Sequence, residues 1–238
     1  MNKYVEFVSD EEFLEEVQKV IDTYPDVNQD PPTPSDILKN YKHGIDEFKA
    51  MFDMCVNQMD LNNWTKSEKI RQDGKKIENK MGEFHQQLLG HVDGWIDLGI
   101  GDDSHVDLKN EEETIFIELK NKKNTVNGDS LNQVRNKLED IAMNNENAIC
   151  YWAYIIQGSY KSEDKVWVKK GYETNERIRQ ISCDKVYELI TEDPDALKKT
   201  YEALPKAIAD ILDINIEFSD NDQILLAEFK DDIFNNSD

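Results

Sequence analysis

The segment AICYWAYIIQG, residues 148 to 158, is apolar, β-branched and aromatic almost from end to end, and a run of that kind reads as a buried strand. Such a strand needs other structure packed over it, so the chain is committed to a layered fold. Helical patterns supply the layers. SDEEFLEEVQKVID, residues 9 to 22, alternates acidic and apolar positions at helical spacing and stops before the proline-rich DPPTP at 30 to 34. Beyond it, Ile37, Leu38, Tyr41, Ile45, Phe48, Phe52 and Cys55 recur every three or four residues. That stripe predicts a core-facing helix capped by Ser35. A further helix is expected over 66–89, ending at Gly90, with Ile70, Ile77, Met81, Phe84, Leu88 and Leu89 inward.

From about residue 95 to 120 the period changes to that of strands: Gly99, Gly101, Asp102 and Asp103 make a turn, His105 to Lys109 a short strand, NEEE a turn, and TIFIELK a second strand. Ser130 with Gln133 three residues on has the form of a capping box and predicts a helix start. KVWVKKG and RIRQISCDKVYELI read as shorter strand or strand-helix segments, and a last helix lies within 194–212, interrupted or kinked near Pro205. The expectation is therefore α/β: a single mixed domain with a central sheet flanked by helices over 35–212. An acidic N-terminal helical extension and proline-rich linker (1–34) precedes it, and an acidic C-terminal tail (213–238) follows. With 238 residues and 38% hydrophobic content the chain can bury a core without staples. Three widely spaced cysteines make neither a disulfide framework nor a zinc site. The acidic start MNKYVEFVSDEEFLEEV is no secretory signal, and no run approaches the roughly 20 apolar residues of a membrane span, so the protein is expected in the cytoplasm.

On spacing alone DLKNEEETIFIELK, residues 107 to 120, reads either as a solvated surface hairpin or as a metal-dependent phosphodiester-cleaving centre. Alternation along the second strand puts Phe116, Glu118 and Lys120 on one side and Ile115, Ile117 and Leu119 on the other. Hairpin pairing can then bring Asp107 across to Glu118 and Lys120. Two carboxylates so close raise each other's pKa unless a cation separates them, and hard oxygen ligands suit magnesium. A lysine beside that ion would orient water and stabilise charge on a phosphate, which is the equipment for metal-assisted phosphodiester hydrolysis. The polar, basic NKKNT that follows (Lys122, Lys123, Asn124, Thr125) has donors suited to phosphate or base contact. A net charge of −22 argues against a polyanionic partner, but the acidity is concentrated in residues 1–60 and the tail. Between 120 and 137, Lys120, Lys122, Lys123, Arg135 and Lys137 face Asp129 alone.

The runs NKMGEFHQQLLGHVDGWIDLGIG, VDL and IFIELKNKKNTVN, with FKAMFDMCVNQ upstream and KVYELITEDPDALKKTYEAL downstream, resemble the type II restriction endonucleases of the group that contains SinI. Those enzymes cut GGNCC or GGWCC sites, and the group looks like a branch of the PD-(D/E)xK nucleases. The resemblance implies Mg²⁺-dependent cleavage of double-stranded DNA, with Asp107 and Glu118 as metal ligands and Lys120 as the catalytic lysine. It also implies pairing with a separate DNA cytosine methyltransferase. The proline of the signature is absent, since Val106 precedes Asp107. A helical carboxylate often completes such a site; Glu83, in the matching GEFHQ run, or Glu78 is the expected one. His85, His91 and His105 lack metal-binding spacing and are expected to be structural, although His85 could approach a phosphate.

Guanine offers O6 and N7 in the major groove, which arginine binds best. Arg177 and Arg179, at strand spacing on one face, are the leading expectation for base reading, and Arg135 is the second. Palindromic sites match two-fold protein symmetry, so a homodimer is expected. Two alternatives stay open: an acidic DNA mimic that binds a basic partner without catalysis, and a structure-selective repair nuclease on the same fold.

Overall fold

The computed structural model describes residues 2–26, 33–40, 45–99, 106–122, 128–156 and 161–234. The chain forms two compact units, one of residues 1–19 with 81–238 and one of residues 20–80. The described helices are α1 (Asp10–Ile21), α2 (Pro34–Asn40), α3 (Glu47–Val56), α4 (Leu61–Gly90), α5 (Gly128–Asn144), α6 (Cys183–Thr191), α7 (Ala196–Leu212) and α8 (Asp220–Phe234). The strands are β1 (Trp95–Asp97), β2 (Leu108–Asn110), β3 (Ile115–Lys122), β4 (Ile149–Ile156), β5 (Asp164–Val166) and β6 (Ile178–Ser182).

The first unit is built on a six-stranded mixed sheet of order β1-β2-β3-β4-β6-β5, so the expected mixed α/β architecture is present. β1, β2 and β3 run antiparallel as a meander. β3, β4 and β6 are parallel, and β5 closes the edge antiparallel to β6. Parallel neighbours need a crossover, and α5 supplies it between β3 and β4. The register aligns Phe116, Glu118 and Lys120 of β3 with Cys150, Trp152 and Tyr154 of β4. The same three β4 residues align with Ile178, Gln180 and Ser182 of β6. These positions share one face. Phe116, Cys150, Trp152, Tyr154 and Ile178 pack with Val134, Leu138 and Ala142 of α5 in one buried cluster, where each large side chain contributes about 1.5–3 kcal/mol. On the opposite face Ile117 and Leu119 are buried as well. The central strands are thus covered on both sides, as the continuous apolar run of β4 requires.

The close of α4 against β1 depends on a missing side chain. A Cβ at Gly90 would stand 2.5 Å from the Asp97 Cβ and 3.0 Å from its backbone nitrogen, so only glycine permits that approach. α6 and α7 both end on a residue in the left-handed region, Glu192 (φ 59°) and Asp213 (φ 52°). The N-terminal residues join the sheet unit because Phe13 and Val17 of α1 are buried. Lys3 and Tyr4 also bond to Asp210 of α7, each at 2.6 Å. Residues 1–19 thus belong with the sheet unit.

Several expectations change. The stripe predicted for 35–55 divides into α2 and α3. In place of Ser35, Thr33 is the cap: its hydroxyl accepts from the Asp36 N–H while its own N–H donates to the Asp36 carboxylate, with Pro34 at the first helical position. Ile37 is buried, but α3 buries nothing, and Phe48 and Phe52 are 81% and 69% exposed. Leu38's side chain and Tyr41 lie outside the described residues. In α4, Phe84, Leu88 and Leu89 are inward while Ile70 is 74% exposed. α5 starts at Gly128, ahead of the expected Ser130. α7 runs continuously through Pro205, and the tail contains α8.

Candidate active site

Asp107 stands just before β2, and its position is fixed by both backbone and side chain. Its N–H donates to the Ile117 carbonyl at 3.0 Å, and its Oδ2 accepts from the Leu119 N–H at 2.6 Å. Antiparallel pairing of Leu108 with Ile117 then carries the aspartate to the middle of β3. There Glu118 is buried, 3% exposed. Lys120, two residues on and on the same face, places Nζ 2.5 Å from Glu118 Oε1 and 3.8 Å from Asp107 Oδ2. The two carboxylates and the lysine expected from the sequence therefore share one space.

Their electrostatics are unusual. Burial, with the charge of Glu118 second, pushes the Asp107 carboxyl up to about 6, against the pull of Lys120 and the Leu119 N–H. Burial alone would lower Lys120, but Asp107 and Glu118 outweigh it and hold the ammonium above its ordinary value. A carboxyl that resists ionisation beside a second carboxylate is a place where added positive charge is favourable. Two such groups fit a hard cation such as magnesium, which keeps several waters and needs only one or two protein carboxylates. Asp107 and Glu118 could hold it.

Glu83 is exposed on α4, and among the described residues no three His, Cys, Asp or Glu side chains form a metal-holding group. Near the end of β3, Gly82 of α4 lies so close to Asn121 that an added Cβ would be 3.4 Å from the asparagine Cβ. The side chain of Lys122, all of Lys123, Asn124 and Thr125, and His105 lie outside the described residues.

The arginines sort differently from the expectation. Arg135 is fully buried. Its guanidinium donates to the Trp167 carbonyl at 2.6 Å and the Glu173 carbonyl at 3.1 Å, and pairs with Glu139 at 2.7 Å. A group so enclosed has no free edge for a base, and this corrects its assignment to base reading. Arg177 donates to the Asn145 and Glu146 carbonyls at 2.9 and 3.2 Å, closing the end of α5 onto the start of β4. Arg179 pairs with Asp164 of the edge strand at 2.7 Å. Neither is grouped with the carboxylates. His85 shares a 2.7 Å hydrogen bond with the Tyr187 hydroxyl, and burial drives its pKa down to about 4, so it is neutral and structural. His91 bonds to the buried Glu16 at 2.8 Å.

Sequence reasoning missed a second cation at the site. Lys137 of α5 donates to Glu118 Oε2 at 2.8 Å. The signal was present: Lys137 falls three residues after Val134 and four before Ile141, at the edge of the helix's inward stripe.

The sequence profile of the Eco47II restriction endonuclease family matches residues 5–213. The chain belongs to that family. It is 35% identical over 218 residues to the type II restriction enzyme Eco47II of Escherichia coli, covering 87% of this chain and 88% of the relative. It is also 31% identical over 220 residues to the type II restriction enzyme Sau96I of Staphylococcus aureus, covering 88% and 81%. Family membership makes this a type II site-specific deoxyribonuclease. No described helix is long and apolar enough to cross a membrane.

Proposed function

We propose that the enzyme is a Mg²⁺-dependent nuclease of the PD-(D/E)xK kind, in the group that contains SinI. In this reading it cuts duplex DNA at a palindrome of the GGNCC or GGWCC type, leaving a 5′-phosphate and a 3′-hydroxyl. The observation that carries this is the convergence of Asp107, Glu118 and Lys120 within 4 Å on a buried hairpin. Asp107 and Glu118 are the metal's protein ligands, and the bound ion supplies polarisation of the phosphoryl oxygen and acidification of water. Lys120, held charged between the carboxylates, orients the attacking water and stabilises negative charge on the phosphate. The Leu119 N–H fixes the Asp107 carboxylate so that one of its oxygens stays available.

Lys122, Lys123, Asn124 and Thr125, following directly on β3, are the proposed contacts to phosphate or base edges. Arg177 and Arg179 remain base-reading proposals that require exchange of their present partners, whereas the buried Arg135 offers no edge to a base. A homodimer would match the two-fold symmetry of the site, and a separate cytosine methyltransferase would protect the host DNA. The cytoplasm is the proposed compartment. Membership in a family of cutting enzymes weighs against the acidic DNA-mimic alternative.

The test is digestion of a plasmid of known sequence, with Mg²⁺ and with EDTA. Discrete fragments whose ends map to GGNCC or GGWCC sites, seen with Mg²⁺ alone, are expected. Folded protein that leaves such DNA intact refutes the proposal, and cutting that requires a junction or flap favours the repair alternative.

A further inference from the structure

Glu118 carries two cations. Lys120 Nζ is 2.5 Å from Oε1, and Lys137 Nζ is 2.8 Å from Oε2, while the carboxylate itself is 3% exposed. The two lysines come from different elements, one from β3 and one from α5, so their meeting is a property of the fold and not of local sequence. An ordinary helix-face lysine keeps its head group in water. Lys137 is 25% exposed and turns its ammonium onto a carboxylate that the sheet has buried. Withdrawing charges from water is costly unless partners compensate. With Lys120 alone, Asp107 and Glu118 would leave the cluster one negative charge in excess; Lys137 brings it to balance. A divalent ion and Lys137 then address the same carboxylate.

We infer that Lys137 is a further member of the centre: without metal it is the built-in counter-ion of Glu118, and with metal and DNA bound it releases that carboxylate and donates to a backbone phosphate. The inference rests on the reading of this hairpin as the metal-holding, cutting centre. It makes metal and DNA binding reciprocal, because DNA that engages the ammonium frees the carboxylate, and a metal on the carboxylate frees the ammonium. The bare enzyme thus holds metal weakly and loads it on DNA, where it is needed.

The experiment uses the full chain and Mn²⁺ as probe, its binding followed by the electron spin resonance of the free ion, without DNA. Lys137→Met should bind Mn²⁺ roughly 10-fold more tightly than the wild type, a coupling of ordinary size. In single-turnover cleavage the same variant should be slower by about 10- to 100-fold, and its DNA affinity in the presence of metal should be weaker and less steeply salt-dependent, as the loss of one phosphate contact requires. Lys137→Arg keeps the charge and should stay within about threefold of wild type in Mn²⁺ affinity. Lys137→Gln, which retains a donor to Glu118 without the charge, should show the same tightening and guards against a methionine variant that folds poorly. Mn²⁺ affinity that is unchanged or weaker in both uncharged variants overturns the inference. Wild-type protein that cuts no DNA refutes the nuclease reading of this centre, while the Mn²⁺ titration still decides whether lysine and metal compete.

Discussion

Replacing Asp107 by asparagine should make the metal-free enzyme more stable at neutral pH while ending its activity. In the folded protein the Asp107 carboxyl is raised from its ordinary 3.8 to about 6. The sign follows from linkage: the stability this group lends is full below pH 3.8 and is lost as pH climbs through about 6. A rise of that size corresponds to about 3 kcal/mol. The side chain is 22% exposed and shares its ionisation with Glu118, so a gain of about 1–3 kcal/mol for Asp107→Asn at pH 7 is expected, or roughly 2–4 °C in melting temperature per kcal/mol. Asparagine preserves the acceptor for the Leu119 N–H, now 2.6 Å from Oδ2, so the geometry of the hairpin survives.

The assay is thermal unfolding in EDTA at several values between about pH 4 and pH 8, read as the difference between variant and wild type. Taking the difference removes the many surface carboxylates that titrate in both. It should be near zero at about pH 4 and grow to its full value by about pH 7. Saturating Mg²⁺ should then stabilise the wild type at neutral pH, by about 2.7 kcal/mol at a hundredfold excess over its dissociation constant, and the variant much less. A difference that is flat with pH, or an asparagine variant less stable at pH 7, would refute the account of the site as a crowded carboxylate pair awaiting a cation.

Other perturbations test the scaffold. Gly90→Ala places a methyl 2.5 Å from the Asp97 Cβ and should cost about 1–3 kcal/mol in denaturant unfolding, as overpacking does. Arg135→Met leaves the Trp167 and Glu173 carbonyls without their donor and should destabilise by about 3–5 kcal/mol. Its cleavage products at permissive temperature should map to the same sites as the wild type's, since the residue reads no base. Phe52→Ser, at a position 69% exposed, should change unfolding free energy of the protein at low concentration by no more than about 0.5 kcal/mol.

Residues differ in how much of their structural role the sequence alone reveals. The hairpin was legible because a period of two fixes which side chains share a face, and Asp107, Glu118 and Lys120 obey it. The strand at β4 was legible because an unbroken apolar run has few other uses. Phe48 and Phe52 misled because periodicity shows that a helix has an apolar face without showing that anything covers it. Arg135 misled in the opposite sense: a buried guanidinium that bonds to main-chain carbonyls looks, in one dimension, like a surface arginine free for DNA. For Lys137 the sequence shows a place at the edge of the inward stripe of α5 but not its partner, which lies 19 residues away on another element and is brought to it by the crossover.

The Asp107, Glu118 and Lys120 hairpin is the proposed cutting centre. Its most direct test is single-turnover cleavage of prebound duplex DNA by wild type, Glu118→Gln and Lys120→Met, with DNA affinity measured separately in Ca²⁺. Both variants should bind the site within a few-fold of wild type, with the cleavage rate down by at least about a thousandfold, the scale of losing a principal catalytic group. Cleavage near the wild-type rate in either variant would place the chemistry elsewhere in the chain.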